Sequence, residues 1–267
     1  MAIITLASAT GSPGVTTCAI GLTLAWPRDV ILVDADRCAS QAVLAGYLNG
    51  VASGGRGLTS LAQAYRDGVD LGEDLLSHLL ELPESSQRRW FLPGFARPGS
   101  ARLFEPVWAE LGAALDDMDR QGIDVIIDAG RWESSGLPAG LLSRTRCLGL
   151  VTRSSLRALA ALRLYTPDLA LAVSGLAGCH TGLLVVGPSR PYSSGEIAKQ
   201  FGLPIWGDAP WHPDDAAGLS DGATVKAKAD GRALARSFTL TAANMRDCAR
   251  RWDARVGRVN QLAGAHV

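Results

Sequence analysis

Short apolar runs recur along the chain and alternate with segments whose apolar residues follow a helical spacing. The runs, rich in Ile, Val and Leu, lie at residues 2–9, 29–36, 88–94, 123–130, 147–153, 181–189 and 203–210. Continuous apolar runs of this length predict strands that are buried on both faces, and their alternation with helices favours a parallel sheet. The pattern therefore predicts an α/β fold with a doubly wound, mostly parallel sheet and helices on both faces.

Helices are predicted between these strands, at residues 16–26, 58–82, 155–165, 192–201 and 231–262. Gly68 and Gly72 interrupt the second of these segments. A further helix is predicted from one apolar face, formed by Leu103, Val107, Leu111, Leu115 and Met118. The sequence has no internal repeat and no linker rich in Pro or Ser, so we expect one domain over residues 1–267.

Composition narrows the class of protein. With 267 residues, 47% hydrophobic and 19% charged, the chain can bury a full core, and its formal net charge of +0 gives no global attraction to nucleic acid or anionic membranes. The five cysteines have no paired spacing, which suits a reducing cytoplasm better than a disulfide framework. Without a basic leader or a membrane-length apolar run, we expect a cytoplasmic protein.

Three segments bring polar residues to the predicted carboxyl edge of the sheet. They are the loop at residues 10–17, Asp34 and Asp36 after the second strand, and Asp128 after the run "VIID". In a doubly wound sheet, ligands bind beyond this edge. Each signal also has a simpler interpretation, because a strand-end Asp often caps a helix and a Gly-rich segment is often a turn. Their order and separation favour a phosphate site.

These motifs resemble those of the ParA/MinD-type ATPases, which carry a deviant phosphate loop. The family's loop reads Lys-Gly-Gly-x-Gly-Lys-Thr-Thr, and "TGSPGVTT" at residues 10–17 occupies it. "ILVDAD" resembles the family's second motif, "VIIDAG" its Walker B strand, and "LPIWGDAPWHPDDAAGLSDGA" its late segment. The resemblance covers nearly the whole chain and implies a P-loop NTPase fold of the SIMIBI type.

The resemblance also implies a site for Mg²⁺ with ATP or ADP. Its nucleotide-binding residues would be those of the loop: Gly11, Ser12, Pro13, Gly14, Val15, Thr16 and Thr17. Magnesium would be held by Thr16, Asp34 and Asp128, partly through water, and Asp36 would orient the attacking water. Backbone N–H groups of such a loop point at the phosphates, although Pro13 has none to offer.

The loop lacks both of the family's lysines. Val15 replaces the lysine that would reach the β- and γ-phosphates, and Thr10 replaces the signature lysine that crosses a dimer interface in relatives. Because phosphoryl transfer depends mainly on electrostatic stabilisation, this loss should damage hydrolysis more than binding. We expect an ATPase that is weak at most, unless an arginine substitutes.

Other candidates have competing interpretations. Gly187, Pro188 and Ser189 stand where relatives often have Asn for the base, and Arg190 beside them is either a ligand contact or a solvated surface residue. His180 and His212 fall in predicted turns without metal-site spacing. Trp132 and Glu133 follow the Walker B-like strand. Both residues could belong to a switch loop. Alternatively, the tryptophan covers the edge of the core.

The last helix, at about 231–262, is basic and amphipathic. Its apolar stripe comprises Met245, Cys248, Trp252, Val256 and Val259, and its arginines include Arg246, Arg250, Arg251, Arg255 and Arg258. Such a helix could bind an anionic membrane at the inner face of the cell or bind DNA. The simpler interpretation is a final helix whose stripe packs on the sheet.

Two functional hypotheses follow. The first is a divergent MinD/ParA-like switch that positions or assembles machinery, similar to the TadZ/CpaE-like proteins of pilus and secretion systems, with a homodimer and a protein partner. The second is a pseudo-ATPase that serves as a dimeric scaffold without turnover. A plasmid or chromosome partitioning ATPase is disfavoured, because both lysines and a net positive charge are missing.

Overall fold

The computed structural model describes residues 2–11, 13–82, 87–133, 135–176, 178–223 and 231–264, with the last helix's side chains described over 233–251. Eight strands in this part of the chain form one sheet in the order β3-β4-β2-β5-β1-β6-β7-β8. The strands are β1 Ile3–Ser8, β2 Val30–Asp34, β3 Leu80–Glu81, β4 Arg89–Leu92, β5 Asp124–Arg131, β6 Cys147–Arg153, β7 His180–Val186 and β8 Ile205–Ala209. All described pairings are parallel except that of β3 with β4.

Ten α-helices lie between or after the strands in the described part of the chain. They are α1 Val15–Ala25, α2 Leu58–Arg66, α3 Leu71–Asp74, α4 Ser100–Leu103, α5 Trp108–Arg120, α6 Ala139–Leu142, α7 Leu156–Ser174, α8 Ser194–Phe201, α9 Pro213–Ser220 and α10 Gly231–Gly264. Local signals explain several of their ends. Ser193 and Glu196 form a reciprocal capping box at the start of α8, and Gly202 ends that helix in the left-handed region.

Two apolar clusters cover the two faces of the sheet. One contains α2, α3, α5, α7 and α8, and the other contains α1 and α10 with the inner residues of α9. The central strands β1, β2 and β5 are buried along almost their whole length, as expected of parallel strands between two helical layers. The predicted doubly wound α/β fold is confirmed.

Several helices differ from their predicted limits. The helix predicted from Leu103 begins at Trp108, and Leu103 itself is 68% exposed on the short α4. The two helices are separated by a 3₁₀ turn, Glu105–Val107, that contains Pro106. α7 is longer than predicted and contains Pro167 in its interior. Helix α6 was not predicted, because it is too short for a clear period.

The described part of α10 packs on the core. Leu234, Phe238, Met245 and Cys248 are buried against α1, β6 and β8, whereas Arg250 and Arg251 are exposed. The apolar stripe therefore faces the sheet as far as residue 251. The side chains of Trp252, Val256, Val259, Arg255 and Arg258 lie outside the described residues. Within the described helices, none combines the length and the apolar character that spanning a bilayer needs.

Gly21 on α1 lets α10 approach closely, and this contact yields a test of the fold. A Cβ at Gly21 would lie 2.2 Å from the Phe238 ring, so Gly21→Ala should push α10 outward and lower the free energy of unfolding by about 1–3 kcal/mol. Gly195→Ala is the matched control, because a Cβ there meets open space on α8. Denaturant unfolding should show a loss for the first variant, recovered by adding Phe238→Leu, and no loss for the control.

Candidate functional site

The loop between β1 and α1 leaves the start of α1 open to a ligand. Gly14 precedes the helix with φ of 103°, a left-handed conformation that glycine adopts without strain. No side chain of the described residues caps this helix, and its first turn holds no acidic residue. The first N–H groups of a helix that begins in this way have no intrahelical partner and can bind an anion. Ser12, one of the predicted loop residues, lies outside the described residues.

A cavity of about 670 Å³ opens over this loop. Its lining includes the other predicted loop residues, which are Gly11, Pro13, Gly14, Val15, Thr16 and Thr17, together with Thr10. Asp36 lines the cavity from the segment after β2, and the opposite wall comes from the segment after β8 and from α9 and α10. A concave site of this size is large enough for a small-molecule ligand or cofactor.

Asp34 and Asp128 lie directly opposite each other on the paired strands β2 and β5. Both are buried, with 7% and 2% of their surface exposed, and neither is among the residues that line the cavity. Burial raises the pKa of Asp128 to about 6, and burial together with the nearby Asp128 charge raises the pKa of Asp34 well above its usual value. The sheet therefore holds two acids side by side, just beneath the cavity.

The Asp128 carboxylate has unused acceptor capacity. Its Oδ1 accepts a hydrogen bond from the Gly130 N–H at 3.0 Å, and its Oδ2 is buried without a hydrogen-bond partner among the described residues. The Thr16 hydroxyl lies near enough to lower the pKa of this carboxyl. A cation, or water held by one, would satisfy the orphaned oxygen.

The donor set fits magnesium bound with a phosphate ligand. Among the described residues, no group of three or more His, Cys, Asp or Glu side chains is arranged as a complete metal cage. Mg²⁺ does not require one, since it keeps several waters and is usually held by one or two carboxylates and by substrate phosphates. Thr16, which lines the cavity, and the buried Asp34–Asp128 pair supply oxygen ligands of that kind.

Asp36 occupies its position because residue 130 is glycine. A Cβ on Gly130 would lie 2.2 Å from Asp36 Cγ, so only a residue without a side chain leaves room for this carboxylate. Gly130 also has φ of 62°, in the left-handed region. Burial raises the pKa of Asp36, while the Cys38 N–H donates to its Oδ1 at 2.8 Å and opposes that shift.

The segment after β2 is tied to the segment after β5. Arg37 forms an ion pair with Glu133 at 3.5 Å and donates a hydrogen bond to the Gly136 carbonyl. The Cys38 thiol donates to Glu133 at 3.5 Å. Because these contacts join the two segments, a displacement of one would displace the other. Both segments border the cavity, through Asp36, Cys38 and Gly130.

The remaining candidates divide between the cavity and the core. Trp132 is buried in the core and donates its backbone N–H to the Ser8 carbonyl at 2.7 Å, so it covers the edge of the core. His212 lines the cavity just before α9. Arg190 is exposed and lies outside the cavity lining, and His180 begins β7 at the other end of the strand.

Three cavity residues were missed by the sequence analysis. Arg131 and Arg153 end β5 and β6, and Trp211 follows β8. The acids are predicted because residues at the carboxyl ends of parallel strands meet at one edge of the sheet. The same rule applies to Arg131, Arg153 and Trp211. They were passed over because the motifs of the resembling family do not include them.

The fold has close counterparts among solved structures. The chain is similar to a ParA family ATPase from Chlorobium tepidum TLS, with a TM-score of 0.70 and 19% identity over 91% of this chain and 97% of that one. It is also similar to the cell division ATPase MinD of Pyrococcus furiosus, with a TM-score of 0.69 and 18% identity over 92% of this chain and 99% of that one.

A third counterpart is the septum site-determining protein MinD of Pyrococcus horikoshii complexed with Mg-ADP. Its TM-score is 0.66 at 19% identity, over 90% of this chain and 94% of that one. No family model matches the chain, and no curated protein matches its sequence. At these identities the likeness establishes the fold, which is that of the MinD and ParA ATPases.

The buried Asp34–Asp128 pair should cost the apo protein stability. Because the pKa of Asp128 is raised to about 6 in the folded state, the penalty on its charge grows between about pH 4 and 6 and is complete above that range. Asp128→Asn should therefore raise the free energy of unfolding above pH 6 by an amount on the order of 2 kcal/mol.

Thermal unfolding in EDTA from pH 4 to pH 8 measures this effect. The gain from Asp128→Asn should shrink towards zero as the pH falls to about 4. Asp168→Asn, at an exposed position on α7, is the matched control and should show no gain at any pH. A gain that does not change with pH would show that removal of the charge is not its cause.

Proposed function

We propose that this chain, which has the fold of the MinD and ParA ATPases, is a nucleotide-binding switch that positions or assembles other proteins. The observation that carries the proposal is the cavity over the start of α1, together with the buried Asp128 on the neighbouring strand β5, whose Oδ2 has no hydrogen-bond partner among the described residues. That combination offers backbone donors for phosphate and oxygen ligands for a cation at one place. In this proposal, residues 1–267 form a single nucleotide-binding domain.

The proposed site takes Mg²⁺ with ATP or ADP. The loop residues from Gly11 to Thr17 surround the phosphates, Thr16 with the Asp34–Asp128 pair holds magnesium, partly through water, and Asp36 orients the attacking water. The MinD of Pyrococcus horikoshii, which shares the fold, was solved with Mg-ADP. Thr16 and Asp36 support the assignment by lining the same cavity.

Hydrolysis is proposed to be slow or absent. Val15 stands in place of a lysine. It lines the cavity, but its short apolar side chain is 6% exposed and brings no charge to a phosphate. Thr10 lines the cavity but carries no charge. A cation that stabilises the transition state raises the rate of phosphoryl transfer by about 10³-fold or more. A site without such a cation should therefore bind a nucleotide better than it hydrolyses it.

The cellular role is proposed from the fold and the motifs. By resemblance, the chain is a divergent member of the ParA/MinD-type ATPases, of the TadZ/CpaE-like branch that acts on pilus or secretion machinery. It would act in the cytoplasm as a homodimer with a protein partner. Contact with the inner face of the membrane or with DNA would fall to the Arg-rich α10, on which Arg250 and Arg251 are exposed whereas the apolar stripe is occupied by the core up to residue 251.

A second candidate is a catalytically dead scaffold of the same fold. Val15 favours it, because an apolar side chain that also packs in the core stands at the position that should deliver a cation. In this case the nucleotide, if bound, is structural, and the protein dimerises without turnover. A partitioning ATPase finds less support, since the loop lacks both lysines and the chain has no net positive charge.

Calorimetric titration tests the nucleotide site. ATP and ADP should bind in the millimolar range or tighter with magnesium, and Thr16→Ala or Asp128→Asn should remove the dependence on magnesium, because each takes away an oxygen ligand. Thr59→Ala, exposed on α2, is the matched control for a lost threonine hydroxyl. No heat of binding at millimolar ATP or ADP would overturn the proposed function.

Phosphate release and light scattering separate the switch from the scaffold. A weak ATPase should show slow release that Asp36→Ala abolishes, because this variant removes the carboxylate proposed to orient the water. A switch should increase its scattering mass towards that of a dimer only when ATP is added. A dimer of constant mass with or without ATP, together with no phosphate release, would favour the scaffold.

A further inference from the structure

Arg153 ends β6 at the wall of the cavity that faces the phosphate loop. β1 lies between β5 and β6 in the sheet, with Leu6 beside Asp128 on one side and Ala7 beside Leu150 on the other. Arg153, three residues past Leu150, therefore borders the loop from the side opposite to the acids. Two strand spacings, about 10 Å, separate β5 from β6, so a phosphate chain bound over the end of β1 would lie between the ends of these two strands.

Among the described residues, the guanidinium group of Arg153 has no carboxylate partner. Its Nε is buried without a hydrogen bond, and no carboxylate of the described residues lies within ion-pair distance. A buried donor left unsatisfied costs free energy, so its retention calls for an explanation such as a ligand. An anion in the cavity would satisfy this donor and balance the charge.

Trp211 holds the guanidinium in place. Arg153 Cζ lies 4.8 Å from the centroid of the Trp211 ring, in a cation–π contact. Trp211 also lines the cavity and packs against Gly187, where a Cβ would lie 3.5 Å from Trp211 Cβ. The glycine that stands where the family often has a base-binding Asn thus contacts this tryptophan instead. A guanidinium fixed on a ring loses less freedom when it binds phosphate.

We propose that Arg153, oriented by Trp211, binds the phosphate chain of the nucleotide from the β6 side and supplies positive charge that the loop lacks. The inference rests on the proposed nucleotide site and names a residue of that site outside its motifs. Arginine suits the task, since its planar fork donates to two phosphate oxygens at once.

Arg131 fits this role less well, although it also lines the cavity. It is exposed, and its charge lies near enough to Asp36 to lower the pKa of that carboxyl. Its charge is thus partly balanced by the protein, whereas that of Arg153 is not. Because Arg153 lies on the side of the loop away from Asp34, Asp36 and Asp128, it should strengthen binding without taking part in cleavage.

The test compares variants by titration with ADP, ATP and pyrophosphate. Arg153→Gln should weaken all three by about 10- to 100-fold, the loss expected for a charge-assisted hydrogen bond, and should leave the ratio of ATP to ADP affinity unchanged. It should also flatten the dependence of affinity on KCl concentration, because a screened charge pair has been removed. Arg153→Lys keeps the charge and should retain part of the affinity.

Two further variants distinguish a ligand contact from a structural role. Arg157→Gln removes an exposed arginine in the first turn of α7, outside the cavity lining, and should bind like the wild type. Trp211→Ala should weaken binding less than Arg153→Gln, and Trp211→Phe should restore it, because either aromatic ring can carry the guanidinium. The melting temperature of each apo variant is recorded alongside.

The outcomes separate this inference from the proposed function. Wild-type affinity in Arg153→Gln would overturn the inference and leave the nucleotide site standing. Pyrophosphate binding that disappears in Arg153→Gln, without any nucleotide binding in the wild type, would overturn the nucleotide switch and leave Arg153 as an anion-binding residue. A wild type that binds none of the three ligands would overturn both.

Discussion

The parallel pairing of β2, β5, β1 and β6 is the constraint on which the candidate site depends. It aligns the carboxyl ends of four buried strands at one edge, and so sets Asp34 against Asp128 on one side of the phosphate loop and Arg153 on the other. The pairing brings together residues from segments that are far apart in the chain. Hydrophobic burial on both faces holds this register, because a shift would expose the apolar strands.

Charge is distributed unusually around the loop. The acids are buried and close together, the described residues of the loop carry no cation, and the arginines lie at the ends of the flanking strands. Binding of an anion can rely on backbone donors, a helix N-terminus and an arginine. Hydrolysis demands charge at the phosphate that is being transferred, where this loop has the apolar Val15. The arrangement therefore suits retention of a ligand better than its turnover.

The candidate site also lowers the stability of the fold. Two carboxyl groups with raised pKa values lie side by side in the sheet, and Asp128 keeps a buried oxygen without a partner among the described residues. Glycines make space for this cluster, since a side chain at residue 94 or 130 would collide with Asp34 or Asp36. Groups that destabilise a protein, and that neighbouring glycines nevertheless accommodate, are expected at functional sites.

The sequence by itself determined the elements and the positions of the acids. Continuous apolar runs predicted β1, β2 and β5, and their terminal aspartates followed from the chain order, because burial and period are local properties. Tertiary structure decided the limits of short helices such as α9. It also decided that the apolar stripe of α10 packs on the core as far as residue 251. It also decided that Arg153 stacks on Trp211 and faces the loop. These contacts join segments far apart in the chain, so no local pattern encodes them.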